Sequence, residues 1–178
     1  SPSIRSVNSK NNYDRWNWLC RKNWPLINKK RNSNEKLSRN LGVDFGEKRI
    51  GLALSDPLKI IATPFKTLNG RSLKLVMKEL EQIVTEQNVE LIVVGHPLGM
   101  KGQETIQTKR VLEFVNQLRY NGYNVKLEDE RLSSVSAKNV MIELGIKTGH
   151  NKDLIDQTSA AIILQQYLDK STSGNNYS

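Results

Sequence analysis

Asp44 is the residue whose position in this sequence most strongly indicates chemistry. It interrupts the alternating apolar pattern of Leu41, Val43 and Phe45, and the same period of two resumes at 50–54 after a short turn. This pattern predicts a β-hairpin with an acid inside its first strand. An unpaired carboxylate there would cost roughly several kcal/mol in desolvation. Asp44 therefore requires a cation, a hydrogen-bond donor or a raised pKa.

Further acids fall at positions that could meet Asp44. Asp129 and Glu130 lie at the end of a predicted strand, and Asp156 lies one turn into the last predicted helix, where small neighbours would let the helix approach the sheet. Three carboxylates without a cysteine or a histidine pair suit a hard divalent cation, Mg²⁺ or Mn²⁺. Two such ions can activate a water and stabilise the leaving oxygen during phosphodiester cleavage.

Each acid also has a purely structural explanation. Asp44 could bond the backbone of the hairpin, and Asp156 could complement the dipole of its helix. Asp129 and Glu130 could form a solvated strand end paired with Arg131. Adjacent side chains in a strand point to opposite faces, so only one of Asp129 and Glu130 is expected to face a metal, and the sequence leaves both open.

Basic side chains near these acids could hold phosphates in position without reading bases. His96 lies at a predicted strand end and is compatible with a proton shuttle, with a substrate contact or with a packed, hydrogen-bonded histidine. Asp56 precedes Pro57 and is predicted to stabilise a turn. The basic residues are Lys48, Arg49, Lys101, Lys109, Arg110 and Arg131.

The elements that would position these residues follow a clear order. The hairpin over 41–56 and a third short strand over 60–68 come first, and helices then alternate with strands. Such an order predicts an α/β fold whose mixed five-stranded sheet carries helices on both faces, with sites at strand ends. The later elements are predicted as a helix over 71–88, a strand over 89–95, a helix over 104–121, a strand from 125, a helix from 133 or 134 to 144 and a helix over 153–169.

Residues 1–40 differ in composition from the rest of the chain. They hold ten Lys and Arg against two acids, so they carry eight of the nine net positive charges, together with all three tryptophans and the only cysteine. We interpret them as a basic, disordered N-terminal extension, which could be solubilising or could contact nucleic acid or the ribosome. The folded domain is placed at 41–170, and a flexible C-terminal tail at 171–178.

Composition also limits the compartment. One cysteine excludes an internal disulfide framework and a cysteine-based zinc site, which fits a reducing environment. No apolar run approaches the roughly 20 residues of a membrane helix, and no apolar signal-peptide region is present. A soluble cytoplasmic protein is expected, or an organellar one if the extension is a transit sequence.

Four motifs occur in order over about 41–169: VDFGEKRIGLALSD, VVGHPLGMKGQET, KLEDERLSSVSA and NKDLIDQTSAAIILQQYL. In order and spacing they resemble the YqgF (RuvX-like) family of Holliday junction resolvase-like proteins, also described as pre-16S rRNA nucleases. The resemblance implies a ribonuclease-H-like fold in which Asp44, Glu130 (with Asp129 as the alternative) and Asp156 are catalytic and bind Mg²⁺ or Mn²⁺. The basic extension lies outside the family pattern.

The function implied by the resemblance is a metal-dependent endonuclease, acting in 5′-end maturation of pre-16S rRNA during ribosome biogenesis. Two alternatives stay open: resolution of branched DNA, for which a dimer could supply two sites, and a non-catalytic RNA-binding assembly factor. An ATP-binding protein of the actin and sugar-kinase type would need a second lobe, for which the chain is too short. The expected partners are nucleic acid and the small ribosomal subunit, with no membrane, and a monomer and a homodimer are both compatible with the sequence.

Overall fold

The computed structural model describes residues 38–97, 102–129 and 152–174, and five strands form one mixed sheet in it. The strands are β1 (Arg39–Phe45), β2 (Arg49–Ser55), β3 (Ala62–Asn69), β4 (Val89–His96) and β5 (Val125–Asp129). β1, β2 and β3 are antiparallel neighbours, whereas β4 joins β1 in parallel and β5 joins β4 in parallel. The order across the sheet is β3-β2-β1-β4-β5, so β1 is its central strand.

Three helices cover the sheet in the described ranges. They are α1 (Leu73–Glu86), α2 (Ile106–Tyr120) and α3 (Lys152–Gly174). The sequence sets the start of α1 at Ser72, whose side chain accepts a hydrogen bond from the Leu75 N–H. The apolar side chains that α1 buries recur at helical spacing, as predicted, and are Val76, Leu80, Ile83 and Val84.

The period of two in the strands gives the sheet two apolar faces. Leu41 and Val43 of β1 pack with α1 and α2 in the larger core cluster. Ala53 of β2 and Val93 of β4 point the other way and pack with α3 around Leu164. We call these the α1–α2 face and the α3 face. Helices therefore lie on both sides of the sheet, which confirms the predicted architecture.

Two predicted boundaries are wrong. β1 begins at Arg39, inside the predicted extension, because the Arg39 backbone N–H bonds the Asn88 carbonyl at 3.0 Å. α3 continues to Gly174, so residues 171–174 are helical and do not belong to a flexible tail. The physical reason lies just upstream, where Leu168 is buried in the core and Lys170 bonds the carboxylate of Glu128 in β5.

Parts of the predictions lie outside the described residues. These are the predicted helix from 133 or 134 to 144, residues 1–37 of the predicted extension and residues 175–178 of the predicted tail. Across the described ranges, no helix is both long enough and apolar enough to cross a membrane.

Candidate active site

Asp44 stands on the α3 face of β1, close to the point where the central strands separate. Its partner in β2 is Gly51, and the preceding Val43 is the last residue of β1 that pairs with β4. Because side chains alternate along a strand, the burial of Val43 on the α1–α2 face turns Asp44 toward α3. The carboxyl ends of parallel strands are the usual place for sites in α/β sheets, and Asp44 occupies such a place.

Two strand glycines let the backbone of α3 lie directly on the sheet. A Cβ atom on Gly51 would stand 2.1 Å from the carbonyl oxygen of Asp156, and one on Gly42 would stand 2.7 Å from that of Ala160. Since Gly51 pairs with Asp44, this contact brings Asp156 beside Asp44. Small residues of the helix were predicted to allow this approach, but the strand glycines at the α3-facing positions also permit it.

The two carboxylates interact electrostatically. Burial, as the larger cause, and the negative charge of Asp156 together raise the pKa of Asp44 to about 7. No hydrogen bond from the described residues lowers the pKa of Asp44. The structural alternative, in which the hairpin backbone bonds this carboxylate, is therefore not observed in the described part of the chain.

Arg49 neutralises Asp156, whereas no described residue supplies a counter-ion to Asp44. The Arg49 Nε donates to Asp156 Oδ2 at 2.7 Å and stands 3.7 Å from Asp153 Oδ1. This hydrogen bond and the charge of Asp156 raise the pKa of the Arg49 guanidinium, which stays protonated. Among the described residues, no cation contributes to the pKa of Asp44. The donor set at Asp44 is therefore of the kind that a hard divalent cation prefers.

The acids of β5 separate onto opposite faces of the sheet. Glu128 pairs with Gly95, and Asp129 pairs with His96. Glu128 thus shares the α3 face with Asp44, but it is buried and bonded to Lys170 of α3. Asp129 lies on the opposite face and is not brought together with Asp44.

The alternation of apolar residues in β5 indicates this separation. Val125 and Leu127 are apolar positions packed on the α1–α2 face, and Asp129 continues their period of two. Glu128 and Glu130 occupy the alternate positions of this period of two. Glu130 lies outside the described residues.

Helix α2 begins against the same end of the sheet. Gln107 Nε2 donates to the Phe45 carbonyl at 2.9 Å, directly after Asp44. The Thr108 hydroxyl donates to the Pro97 carbonyl at the end of β4. The Phe45 ring also stacks on Phe114 of α2, with centroids 4.6 Å apart. The first turn of α2 thereby ties together the ends of the two central strands.

The predicted phosphate-contacting residues fall around this end of the sheet. Lys48 is exposed in the turn between β1 and β2, and Lys109 is exposed on α2. Arg110 Nη1 lies 2.9 Å from Glu47 Oε2, which links α2 to that turn. Arg49 is engaged with Asp156, as described above. Lys101 and Arg131 lie outside the described residues.

His96 belongs to the face opposite the two carboxylates. Its strand partner is Asp129, on the α1–α2 face. The Nε2 atom is buried and has no hydrogen-bond partner among the described residues. His96 therefore does not accompany Asp44, and its Nε2 atom is not bonded within the described residues.

Two of the three predicted catalytic carboxylates, Asp44 and Asp156, come together. Glu130, the third, lies outside the described residues. Within the ranges that the structure describes, no three acidic, histidine or cysteine side chains gather into a metal site. The pair that is present fits a divalent cation, because Asp44 is partly buried, its pKa is raised and no described residue supplies a counter-ion.

The sheet order, the helices on both faces and the carboxylates at the end of the central strand define a ribonuclease-H-like α/β domain. The Holliday junction resolvase of yeast mitochondria has this fold, with a TM-score of 0.51 and 14% identity over 79% of this chain and 82% of that one. The chain belongs to the RuvX family, whose model is described as a Holliday junction resolvase and matches residues 38–170.

Curated relatives agree with this assignment. A protein of Ruminiclostridium cellulolyticum named "Putative pre-16S rRNA nuclease" is 41% identical over 134 residues, which cover 74% of this chain and 94% of the relative. A protein of Phocaeicola vulgatus with the same name is 41% identical over 138 residues, which cover 75% of this chain and 96% of the relative. The family match begins at residue 38, so it does not include residues 1–37.

Proposed function

We propose that this protein is a divalent-metal-dependent endonuclease that hydrolyses phosphodiester bonds in the 5′ region of the 16S rRNA precursor. The observation that carries the proposal is the pairing of Asp44 with Asp156 at the end of the central strand, where Asp156 has Arg49 as counter-ion and Asp44 has none in the described chain. Membership of the RuvX family and the names of the curated relatives support the same activity.

Asp44, Asp156 and Glu130 are the residues that would hold Mg²⁺ or Mn²⁺. We choose Glu130 over Asp129 because Asp129 lies on the opposite face from Asp44 and neighbouring strand residues alternate. The cation would supply activation of a water and stabilisation of the leaving oxygen. Asp44 must lose its proton to bind a cation, and its pKa of about 7 makes that loss sensitive to pH near neutrality.

The basic residues have a separate role in this proposal. Arg49 orients the Asp156 carboxylate through its 2.7 Å hydrogen bond. Lys48, Lys109 and Arg110 surround the hairpin turn and α2, where they would hold phosphates of the substrate strand without reading its bases. Lys101 and Arg131 are assigned to the same role from the sequence. The substrate would place the protein in the cytoplasm, with precursors of the small ribosomal subunit.

Branched DNA is the second candidate substrate. The description of the family model as a Holliday junction resolvase favours it. Both substrates require the same cleavage chemistry, so the carboxylate pair does not distinguish them. A junction resolvase needs two sites acting on one symmetric substrate, which a homodimer would supply.

The test is a cleavage assay on two substrates, a 5′-extended 16S rRNA precursor and a synthetic four-way DNA junction, each with Mg²⁺, Mn²⁺ or EDTA. The variants are Asp44→Asn and the control Glu79→Gln, whose carboxylate pairs with Lys66 on the α1–α2 side of the sheet. We expect RNA cleavage that EDTA and Asp44→Asn abolish and that Glu79→Gln retains.

The other outcomes are equally clear. Symmetric cuts in the junction, without RNA cleavage, would establish the resolvase. RNA binding without cleavage of either substrate at any metal concentration would identify a non-catalytic assembly factor. Cleavage by Asp44→Asn at the wild-type rate would exclude the proposed metal site.

A further inference from the structure

Three large apolar side chains are exposed together in the loop between β2 and β3. Leu58, Ile60 and Ile61 are 69%, 58% and 58% exposed, and we call them the 58–61 patch. Clustered aliphatic side chains in water usually mark an interaction surface. The patch follows the end of β2 opposite to Arg49, so it is remote from the Asp44 site.

The backbone of this loop is firmly held. The Asp56 carboxylate accepts hydrogen bonds from the N–H groups of Leu58, Ile60 and Ile61, which confirms its predicted role in a turn. These bonds lower the pKa of Asp56, so the carboxylate stays ionised. Gln165 of α3 donates to the Ile60 carbonyl at 2.9 Å. The apolar side chains therefore extend from an ordered backbone, so that less conformational entropy of the loop is lost on binding.

The chain enters the described domain beside the patch. Lys59, within the loop, donates to the Glu90 carboxylate. Ser38, the first described residue, donates to the same carboxylate. Ser38 and the loop that carries the patch therefore bond the same carboxylate at one end of the sheet.

The residues that precede Ser38 contain an apolar segment of matching chemistry. Residues 16–27, WNWLCRKNWPLI, hold all three tryptophans of the chain. The linker from Ile27 to Ser38 spans about 36 to 40 Å when extended, and tethering raises the effective concentration of such a segment to the millimolar range. The family match begins at residue 38 and does not include this segment.

We propose that residues 16–27 of this chain pack on the 58–61 patch and cover it. The indole rings supply large, rigid apolar surfaces for the three aliphatic side chains. The packed segment would hold the extension against the end of the sheet that is remote from Asp44. This intramolecular docking does not depend on the proposed nuclease activity.

Tryptophan fluorescence tests the proposal directly, because residues 38–178 contain no tryptophan. The full chain is compared with a triple variant, Leu58→Ser, Ile60→Ser and Ile61→Ser. A control carries Leu75→Ser and Ile106→Ser, which alter side chains that are 59% and 75% exposed elsewhere. Circular dichroism and thermal melting verify that all three chains are folded.

We expect wild type and control to show blue-shifted emission and weak quenching by acrylamide. The patch variant is expected to show red-shifted emission and severalfold stronger quenching. Solvent-like emission from the wild type would overturn the proposal, and so would blue-shifted emission that survives in the patch variant. A blue shift that appears only at concentrations where sedimentation detects dimers would also overturn it, in favour of a second copy on the patch.

Discussion

The carbonyl oxygen of Asp156 lies 2.1 Å from the point where a Cβ atom on Gly51 would stand. Non-bonded heavy atoms do not approach so closely, so α3 reaches the sheet here only because position 51 is glycine. Gly51 is also the strand partner of Asp44. The contact therefore sets the separation of the two carboxylates, and a packing feature determines how strongly Asp156 raises the pKa of Asp44.

Gly51→Ala is expected to destabilise the protein by about 3 kcal/mol, because the new methyl group meets backbone that cannot move without shifting α3. Chemical denaturation measures the loss. Gly70→Ala is the control, since its Cβ would lie 3.0 Å from the Gly46 carbonyl and needs a shift of only a few tenths of an ångström. Equal decreases in the free energy of unfolding of the two variants would contradict the inference that Gly51 allows α3 to contact the sheet.

Much of this arrangement could be predicted from residue patterns. The period of two around Asp44 predicted a β-hairpin with an acid inside its first strand, and the apolar spacing over 71–88 predicted the helix that the structure shows as α1. The place where α3 contacts the sheet could not be predicted in the same way, because a strand glycine gives no indication of which element approaches it. The face on which Asp129 lies follows from its spacing, because it is two residues after Leu127 and four after Val125, which pack on the α1–α2 face. The residues of β4 that lie opposite β5 could not be predicted from the strand pattern.

Asp44→Asn is expected to stabilise the metal-free protein above neutral pH. The folded-state pKa of Asp44 is about 7 against an ordinary value of 3.8, so between those values the folded state binds more protons than the unfolded state. The free energy of unfolding of the wild type therefore falls as pH rises through this window. The asparagine variant does not lose stability in this way. Above neutral pH its free energy of unfolding should exceed that of the wild type by about 1 to 2 kcal/mol, once solvent screening is considered.

Urea denaturation in EDTA at pH 4, 6 and 8 measures this difference between Asp44→Asn and the wild type. The advantage of the variant should be small at pH 4 and largest at pH 8. Adding Mg²⁺ or Mn²⁺ should reverse the order at pH 8, because only the wild type gains free energy from a bound cation. A stability difference that does not change with pH would contradict the raised pKa.

Arg49→Gln is expected to tighten divalent cation binding severalfold while slowing cleavage. Removing the guanidinium takes away a positive charge that competes for Asp156, but it also removes the hydrogen bond that orients this carboxylate. Calorimetric titration with Mn²⁺ measures the affinity, and single-turnover cleavage measures the rate. Arg110→Gln serves as the matched control, because its partner is Glu47 in the turn. Weaker Mn²⁺ binding by Arg49→Gln would show that Arg49 supports the cation rather than competing with it.

Gln107→Leu should slow cleavage without weakening RNA binding, because Gln107 holds the carbonyl of Phe45, the residue after Asp44. Leucine has a similar volume and cannot donate, so the carbonyl loses its partner at a cost of about 1 kcal/mol. The end of β1 then becomes free to shift, and the Asp44 carboxylate shifts with it. Single-turnover cleavage at saturating enzyme separates the rate from the affinity, and Gln82→Leu, at an exposed glutamine of α1, is the control. A variant with unchanged rate but weaker RNA binding would place Gln107 on the substrate rather than on β1.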